Sequence, residues 1–255
     1  MLKAPDFRVD GKVALVTGSG RGIGLGMARA LAAEGCAVAL QDIEPAVAQK
    51  EADRIESEGG RAIALAGDVT DTSWPKRWVD ETVRQLGGIH ILINNAAIQI
   101  EKPWTELSVE EIELQYRANL TTPILLCQQV GPIFRRQKWG RIINVGSIQQ
   151  KNGNPTMLAY SSSKLALENI TKGLARDLAK DGVTANLVAP GYFNTFRNRD
   201  HFTSKAALEE KGKWIPLGHV GEPEEVGGVT VMLCSEAGAY VTGQTIFVDG
   251  GMSVR

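Results

Sequence analysis

Along this chain, short apolar runs alternate with longer stretches in which apolar positions recur at helical spacing. The apolar runs cover residues 12–17, 36–41, 61–66, 89–93, 141–145, 183–188 and 245–248. Helical stretches cover residues 22–34, 45–58, 74–86, 109–137 and 159–180. Gly35 follows the first helical stretch as a C-cap. In the last of them Leu167, Ile170, Leu174 and Leu178 share one face. The 109–137 stretch contains Pro123 and Pro132 and is expected to break near them. Strands that are apolar on both faces need cover on both sides, and helices between them supply it. The pattern predicts an α/β fold: a doubly wound, parallel, seven-stranded sheet with right-handed crossovers and helices on both faces. No repeat, linker or low-complexity segment divides it, so residues 1–255 are expected to form one domain. The largest irregular piece, residues 190–216, holds a short helical run near 204–211 and has the length of a lid or binding loop.

Composition narrows the function classes. With 43% hydrophobic and 22% charged residues the chain is expected to fold rather than stay disordered. A formal net charge of -1 gives no electrostatic case for nucleic acid or an anionic membrane. No run reaches the roughly 18 apolar residues of a membrane helix, and the first ten residues lack the apolar core of a signal peptide. Cys36, Cys127 and Cys234 are odd in number, far apart and set among apolar residues. They read as buried small hydrophobes in a reducing compartment, and a cytoplasmic protein is expected. His90, His201 and His219 form no zinc-binding spacing, so no metal is expected.

The first apolar run enters Thr17-Gly18-Ser19-Gly20-Arg21-Gly22-Ile23-Gly24, and a helix follows. Glycines let the backbone approach a ligand, and the free N–H groups of a helix start attract a diphosphate. The spacing GxxxGxG differs from the GxGxxG dinucleotide fingerprint. Asp42 closes the second run, about twenty residues on, where an acid can accept the ribose hydroxyls of adenosine and repel a 2′-phosphate. It could otherwise cap the next helix. Arg21 could pair with such a phosphate, but Asp42 would sit where that phosphate must go, so NAD is expected over NADP.

Tyr160 and Lys164 lie four apart at the start of a helical stretch, which places them on one face. A phenol is a poor acid–base near neutral pH, and a neighbouring ammonium makes the phenolate accessible. Ser147 is expected to end the fifth strand, where a strand C-terminus faces a cleft, and could hold a substrate oxygen beside Tyr160.

With these residues the sequence resembles the short-chain dehydrogenase/reductase family along essentially its whole length. The resemblance rests on Thr17-Gly18-xxx-Gly22-x-Gly24, Asp68-Val69, Asn94-Asn95-Ala96-Ala97, Asn119, Ser147, Tyr160-xxx-Lys164 and Pro190-Gly191, in order. It implies a Rossmann-type fold, a catalytic tetrad of Asn119, Ser147, Tyr160 and Lys164, and a homotetramer. The 109–137 and 159–180 helices would pack across one interface and the C-terminal strand near another. By the same resemblance Asp68 would contact the adenine, Val69 would be among the cofactor-binding residues, and Asn95 and Ala96 would line the cofactor near its adenosine ribose. Lys164 would bind the nicotinamide ribose, Pro190 and Gly191 would border the nicotinamide, and a water-binding kink at Asn119 would serve a proton relay. Ala97 departs from the family's usual glycine, which puts only the local turn in question. The segments 188–195 and 247–252 look like the gluconate 5-dehydrogenase branch, and Arg197, Asn198 and Arg199 could bind a carboxylate or sugar hydroxyls. The activity implied is hydride transfer between nicotinamide and a secondary alcohol or its ketone, with a sugar acid or polyol as substrate. A 3-oxoacyl thioester reductase and a non-catalytic cofactor-binding sensor are the alternatives.

Overall fold

Seven parallel strands form one sheet in the order β3-β2-β1-β4-β5-β6-β7. They are β1 Val13–Thr17, β2 Ala37–Asp42, β3 Ala62–Ala66, β4 Ile91–Asn94, β5 Gly140–Val145, β6 Val183–Pro190 and β7 Thr245–Val248. The computed structural model describes residues 5–198 and 204–254; Arg199 and His201 lie outside the described residues. Helices α1 Gly22–Ala33, α2 Pro45–Ser57 and α3 Trp74–Leu86 connect the first four strands. Next come α4 Val109–Tyr116 and α5 Thr122–Gln137, then the short α6 Gln149–Asn152 and the long α7 Leu158–Leu178. Helices α8 Lys205–Gly212 and α9 Gly227–Cys234 precede the last strand. The α9 segment lacks an amphipathic stripe, and the sequence pattern alone did not mark it as a helix.

Alternate residues of the strands feed two large cores on opposite sides of the sheet, and Leu187 and Ala189 of β6 form a smaller third cluster with Leu167. Ala14, Val16, Val38 and Leu40 pack with Met27, Leu31, Ala52 and Val231 on one side of the sheet. Val13, Leu15, Ala37 and Ala39 pack with Trp78, Leu126, Phe134 and Leu178 on the other. This two-sided burial is why the strands read as unbroken apolar runs, each buried aliphatic side chain contributing about 1.5–3 kcal/mol. Cys36, Cys127 and Cys234 are all buried free thiols, and burial pushes Cys36 and Cys127 up to about 12. No helix among the described residues is long and apolar enough to cross a membrane.

The 109–137 stretch does break near Pro123, at a π turn, and does not break at Pro132. Residues Arg117–Thr121 form a single π turn between α4 and α5. Pro123 lies in the first turn of α5, where a missing N–H is tolerated, and Pro132 lies inside α5 without ending it. An α-helix would need the N–H of residue 123 to satisfy the carbonyl of residue 119. Proline has none, so the ladder must change at Asn119.

Because the chain runs β1, β2, β3 outward and then returns to β4 beside β1, the strand order reverses between β1 and β4. Connections leave that point in opposite directions and open a crevice at the strand C-termini. Thr17, Asp42, Asn94, Val145 and Pro190 all end or nearly end their strands at this edge.

Candidate active site

The crevice is a cleft of about 780 Å³. Its lining includes every glycine-turn, acidic and loop residue expected to meet a cofactor: Gly18, Arg21, Gly22, Ile23, Gly24, Asp42, Asp68, Val69, Asn95, Ala96, Pro190 and Gly191. Ser147, Tyr160 and Lys164 line the same cleft.

The glycine turn has the shape a dinucleotide diphosphate requires. Gly18 and Gly22 adopt φ of 61° and 59°, a region side chains disfavour. A Cβ on Gly24 would collide with the Asn95 amide and the Gly18 carbonyl. Asn95 explains that closeness: its Nδ2 donates to the carbonyls of Thr17 at 2.8 Å and Gly18 at 2.9 Å, tying the loop after β4 to the turn. Thr17 completes the tie, its Oγ1 accepting from the N–H groups of Asn95 and Ala96. Sequence reasoning gave Thr17 no role, although a hydroxyl at the end of the first strand was the available signal. Arg21 is the N-cap of α1 and makes no side-chain cap hydrogen bond, so the N–H groups of the first turn face the cleft with no capping side chain. The residues present therefore fit a dinucleotide.

At the end of β2, Asp42 accepts from the N–H of Gly20 at 3.1 Å and of Glu44 at 3.0 Å. It is not the cap of α2, whose N-cap is Glu44. Arg21 is engaged by the Glu44 carboxylate at 2.6 Å and lies over the Phe196 ring at 4.5 Å. The sequence reading did not single out Glu44. Gln41 was also missed: its amide accepts from Gly18 N–H at 3.2 Å and donates to the Gly67 carbonyl at 2.7 Å.

Helix α7 carries Tyr160 and Lys164 into the cleft one turn apart. The Tyr160 hydroxyl has no hydrogen-bond partner among the described residues. Lys164 is 2% exposed, and its Nζ donates to the Val145 carbonyl at 2.7 Å and lies 5.7 Å from the Tyr160 ring centre. Burial, with a smaller contribution from the Arg197 guanidinium, pushes the Lys164 ammonium down to about 7. Ser147 stands two residues beyond β5 rather than at its end. Its Oγ accepts from the N–H of Gln149 at 3.2 Å, which leaves its O–H to donate into the cleft.

Asn119 does not line the cleft and is 1% exposed. Its amide is committed: Nδ2 donates to Ile98 O at 2.9 Å and Ser163 Oγ at 3.1 Å, and Oδ1 accepts from Ile98 N–H at 2.9 Å. The side chain thus clamps the loop after β4. Ala97 is not among the residues with positive φ, so its methyl brings no backbone strain. The Ala97 carbonyl accepts from Arg197 Nη2 at 2.6 Å.

Comparison with known proteins agrees with this geometry. A family model described as enoyl-(acyl carrier protein) reductase matches residues 18–253. The 3-oxoacyl-(acyl-carrier-protein) reductase of Aquifex aeolicus is 36% identical over 251 residues, covering 97% of this chain and 99% of that protein. Gluconate 5-dehydrogenase of Gluconobacter oxydans is 35% identical, covering 99% of both chains. A crystal structure of gluconate 5-dehydrogenase from Burkholderia cenocepacia J2315, in complex with NADP and tartrate, superposes with a TM-score of 0.91. It is 37% identical and covers 98% of each chain. The chain belongs to the short-chain dehydrogenase/reductase family. It is an oxidoreductase that transfers hydride between a nicotinamide cofactor and a secondary alcohol or its ketone.

Proposed function

We propose that the protein interconverts a sugar acid or polyol and the corresponding ketone, with NAD as cofactor. The observation that carries the substrate class is the lining of the cleft near Ser147 and Tyr160. Gln149, Asn154, Tyr192 and Arg197 line the same cleft as Ser147 and Tyr160, beside apolar Ile148, Met157 and Trp214, and their hydrogen-bonding and cationic groups suit a hydroxylated carboxylate. The gluconate 5-dehydrogenase relatives support the same class.

In oxidation, Tyr160 Oη takes the proton of the substrate hydroxyl, and Ser147 Oγ donates a hydrogen bond that holds the substrate oxygen in place. The Lys164 ammonium stabilises the Tyr160 phenolate and offers donors to the nicotinamide ribose. The nicotinamide, when bound, accepts the hydride from the carbinol carbon or returns it to the ketone. Asn119 shapes the loop at Ile98 and serves a relay water through its backbone. Asp68 and Val69 receive the adenine, Asn95 and Ala96 the adenosine ribose region, and Pro190 and Gly191 the nicotinamide. The lid over the substrate is assigned to 190–216, of which 199–203 lie outside the described residues.

NAD is the cofactor that fits the acidic end of β2. Asp42 keeps lone pairs for ribose hydroxyls, and the Arg21 guanidinium beside it is already paired with Glu44. The Burkholderia relative binds NADP, so the assignment rests on this chain's own carboxylates.

A homotetramer is the assembly we expect, in the cytoplasm. Leu114 on α4 and Leu158 and Leu165 on α7 are exposed apolar side chains on the two helices assigned to one interface.

The test is a kinetic panel of polyols, sugar acids and 3-oxoacyl thioesters with NAD(H) and NADP(H). The reading predicts turnover of a hydroxylated acid or polyol with NAD. Turnover confined to oxoacyl thioesters would replace the substrate class, and no turnover with cofactor bound would make the protein a sensor. A monomer by light scattering at micromolar concentration would remove the tetramer.

A further inference from the structure

Ser147 is held from behind by a line of side chains that runs to the protein surface. The segment 146–148 crosses from β5 toward α6, and each of its N–H groups has a partner. Gly146 donates to Val188 O at 2.7 Å and Ile148 to Pro190 O at 3.0 Å, both backbone carbonyls of β6. The Ser147 N–H alone goes to a side chain, the Gln150 Oε1, at 3.1 Å. Gln150 is 8% exposed and its Nε2 donates to Glu168 Oε2 on α7 at 2.5 Å. The other Glu168 oxygen accepts from Lys172 Nζ at 2.6 Å. Gly146 fits the arrangement, since a Cβ there would lie 2.5 Å from Gln150 Oε1.

An amide can point either way, and only one orientation serves Ser147. A carboxylate accepts and cannot donate, so Glu168 obliges Gln150 to turn its NH2 toward α7 and its oxygen toward the Ser147 N–H. With the amide reversed, two donors would face each other in a buried space. Helix α7 is also the helix that carries Tyr160 and Lys164. The link therefore ties the backbone that bears the Ser147 hydroxyl to the helix that bears the proton carrier.

We propose that Gln150 and Glu168 are positioning residues for the hydride-transfer reaction, setting the Ser147 hydroxyl relative to Tyr160 through the Ser147 N–H. The inference rests on the role given to Ser147 above. Neither side chain is assigned contact with substrate, so both act only through the geometry of residue 147.

The experiment is a side-chain exchange, read by kcat, cofactor Kd from nicotinamide fluorescence, and Tm. Gln150→Glu alone sets two carboxylates against each other and is expected to cost at least about tenfold in kcat, as a misplaced reacting group does. Glu168→Gln keeps an acceptor but adds a donor, so the amide is no longer forced, and the expected loss is about threefold. In the exchange Q150E/E168Q, the carboxylate at position 150 accepts from both the Ser147 N–H and the amide at position 168. There kcat should return to within about threefold of wild type, a recovery that lies outside additivity. Cofactor Kd should stay within about twofold of wild type in all three, because none of the three touches the dinucleotide. On a Ser147→Ala background, Gln150→Glu should cost nothing further in kcat. Should Gln150→Glu fail to fold, Glu168→Ala carries the test, with a loss of about tenfold in kcat at unchanged cofactor Kd. Exchange variants that stay as slow as Gln150→Glu, or a Gln150→Glu loss that persists in full without the Ser147 hydroxyl, would overturn the inference. Full activity of Ser147→Ala would instead remove the role of Ser147 itself. An inactive Ser147→Ala beside a fully active Gln150→Glu would sink the positioning role alone.

Discussion

The Arg21 guanidinium and the Glu44 carboxylate meet at 2.6 Å, and the Glu44 N–H donates to Asp42 at 3.0 Å. The cation best placed to greet a 2′-phosphate is thereby neutralised by one acid beside another. Asp42 should give NAD roughly a tenfold or greater advantage, since hydrogen bonds to a charged group contribute about 1.5–3 kcal/mol. Asp42→Ala should weaken NAD and relieve the block on NADP, and Glu44→Gln should release Arg21 and improve NADP alone. Steady-state kinetics with both cofactors measure the ratio. Wild-type use of NADP at least equal to NAD would mean that Arg21 leaves Glu44 for the phosphate.

Tyr160→Phe should abolish turnover and leave cofactor affinity nearly unchanged. The ring stays and only the proton carrier goes. Single-turnover kinetics with the best substrate check it, and a variant retaining about a tenth of the wild-type rate with chemistry still limiting would remove Tyr160 as the base.

Lys164 makes the cofactor-free protein sensitive to pH. Its ordinary value of 10.5 falls to about 7 in the folded chain, chiefly through burial. Between those values the unfolded chain binds a proton that the folded chain does not, so unfolding free energy rises with pH across the window. The stability gained is complete above 10.5 and is lost as pH falls through 7. Lys164→Met should remove this rise and be the more stable form, relative to wild type, at the acid end. Urea unfolding of both proteins without cofactor at several pH values tests the sign. A difference independent of pH would show that the ammonium stays charged when buried.

Gly26→Ala should destabilise without touching the cleft. A Cβ there collides with the Pro223 carbonyl, where α1 packs against the turn before α9. Overpacking of this kind costs about 1–3 kcal/mol, visible as a lowered Tm. Cofactor affinity of the folded protein should not change. An unchanged Tm would mean that the 223–226 turn moves aside freely.

Much of this fold was legible in the chain because its strands are buried on both faces and its helices are amphipathic. Those two patterns differ in period, and 74–86 and 245–248 were located to the residue. Helix α9 escaped because it is apolar nearly all round, lying in the core between α1 and β5, so no stripe marks it. The break at Asn119 was expected near prolines, and Pro123 is its cause. Its form, a π turn in which the Thr122 N–H reaches the Arg117 carbonyl, is visible only once the helix is built.

Local sequence was enough to place the alternation of strand and helix, the glycine turn, the acid at the end of β2 and the Tyr160–Lys164 spacing. Each of these depends on residues near one another in the chain, where geometry follows from covalent connection. That Glu44 takes Arg21, that the Asn119 amide clamps Ile98, and that Glu168 orients Gln150 behind Ser147 emerge only in the folded chain. These pairs are separated by 23, 21 and 18 residues. Hydrogen bonds and ion pairs act only over a few ångströms. Which partners come within that range is set by how the sheet brings its strand ends together.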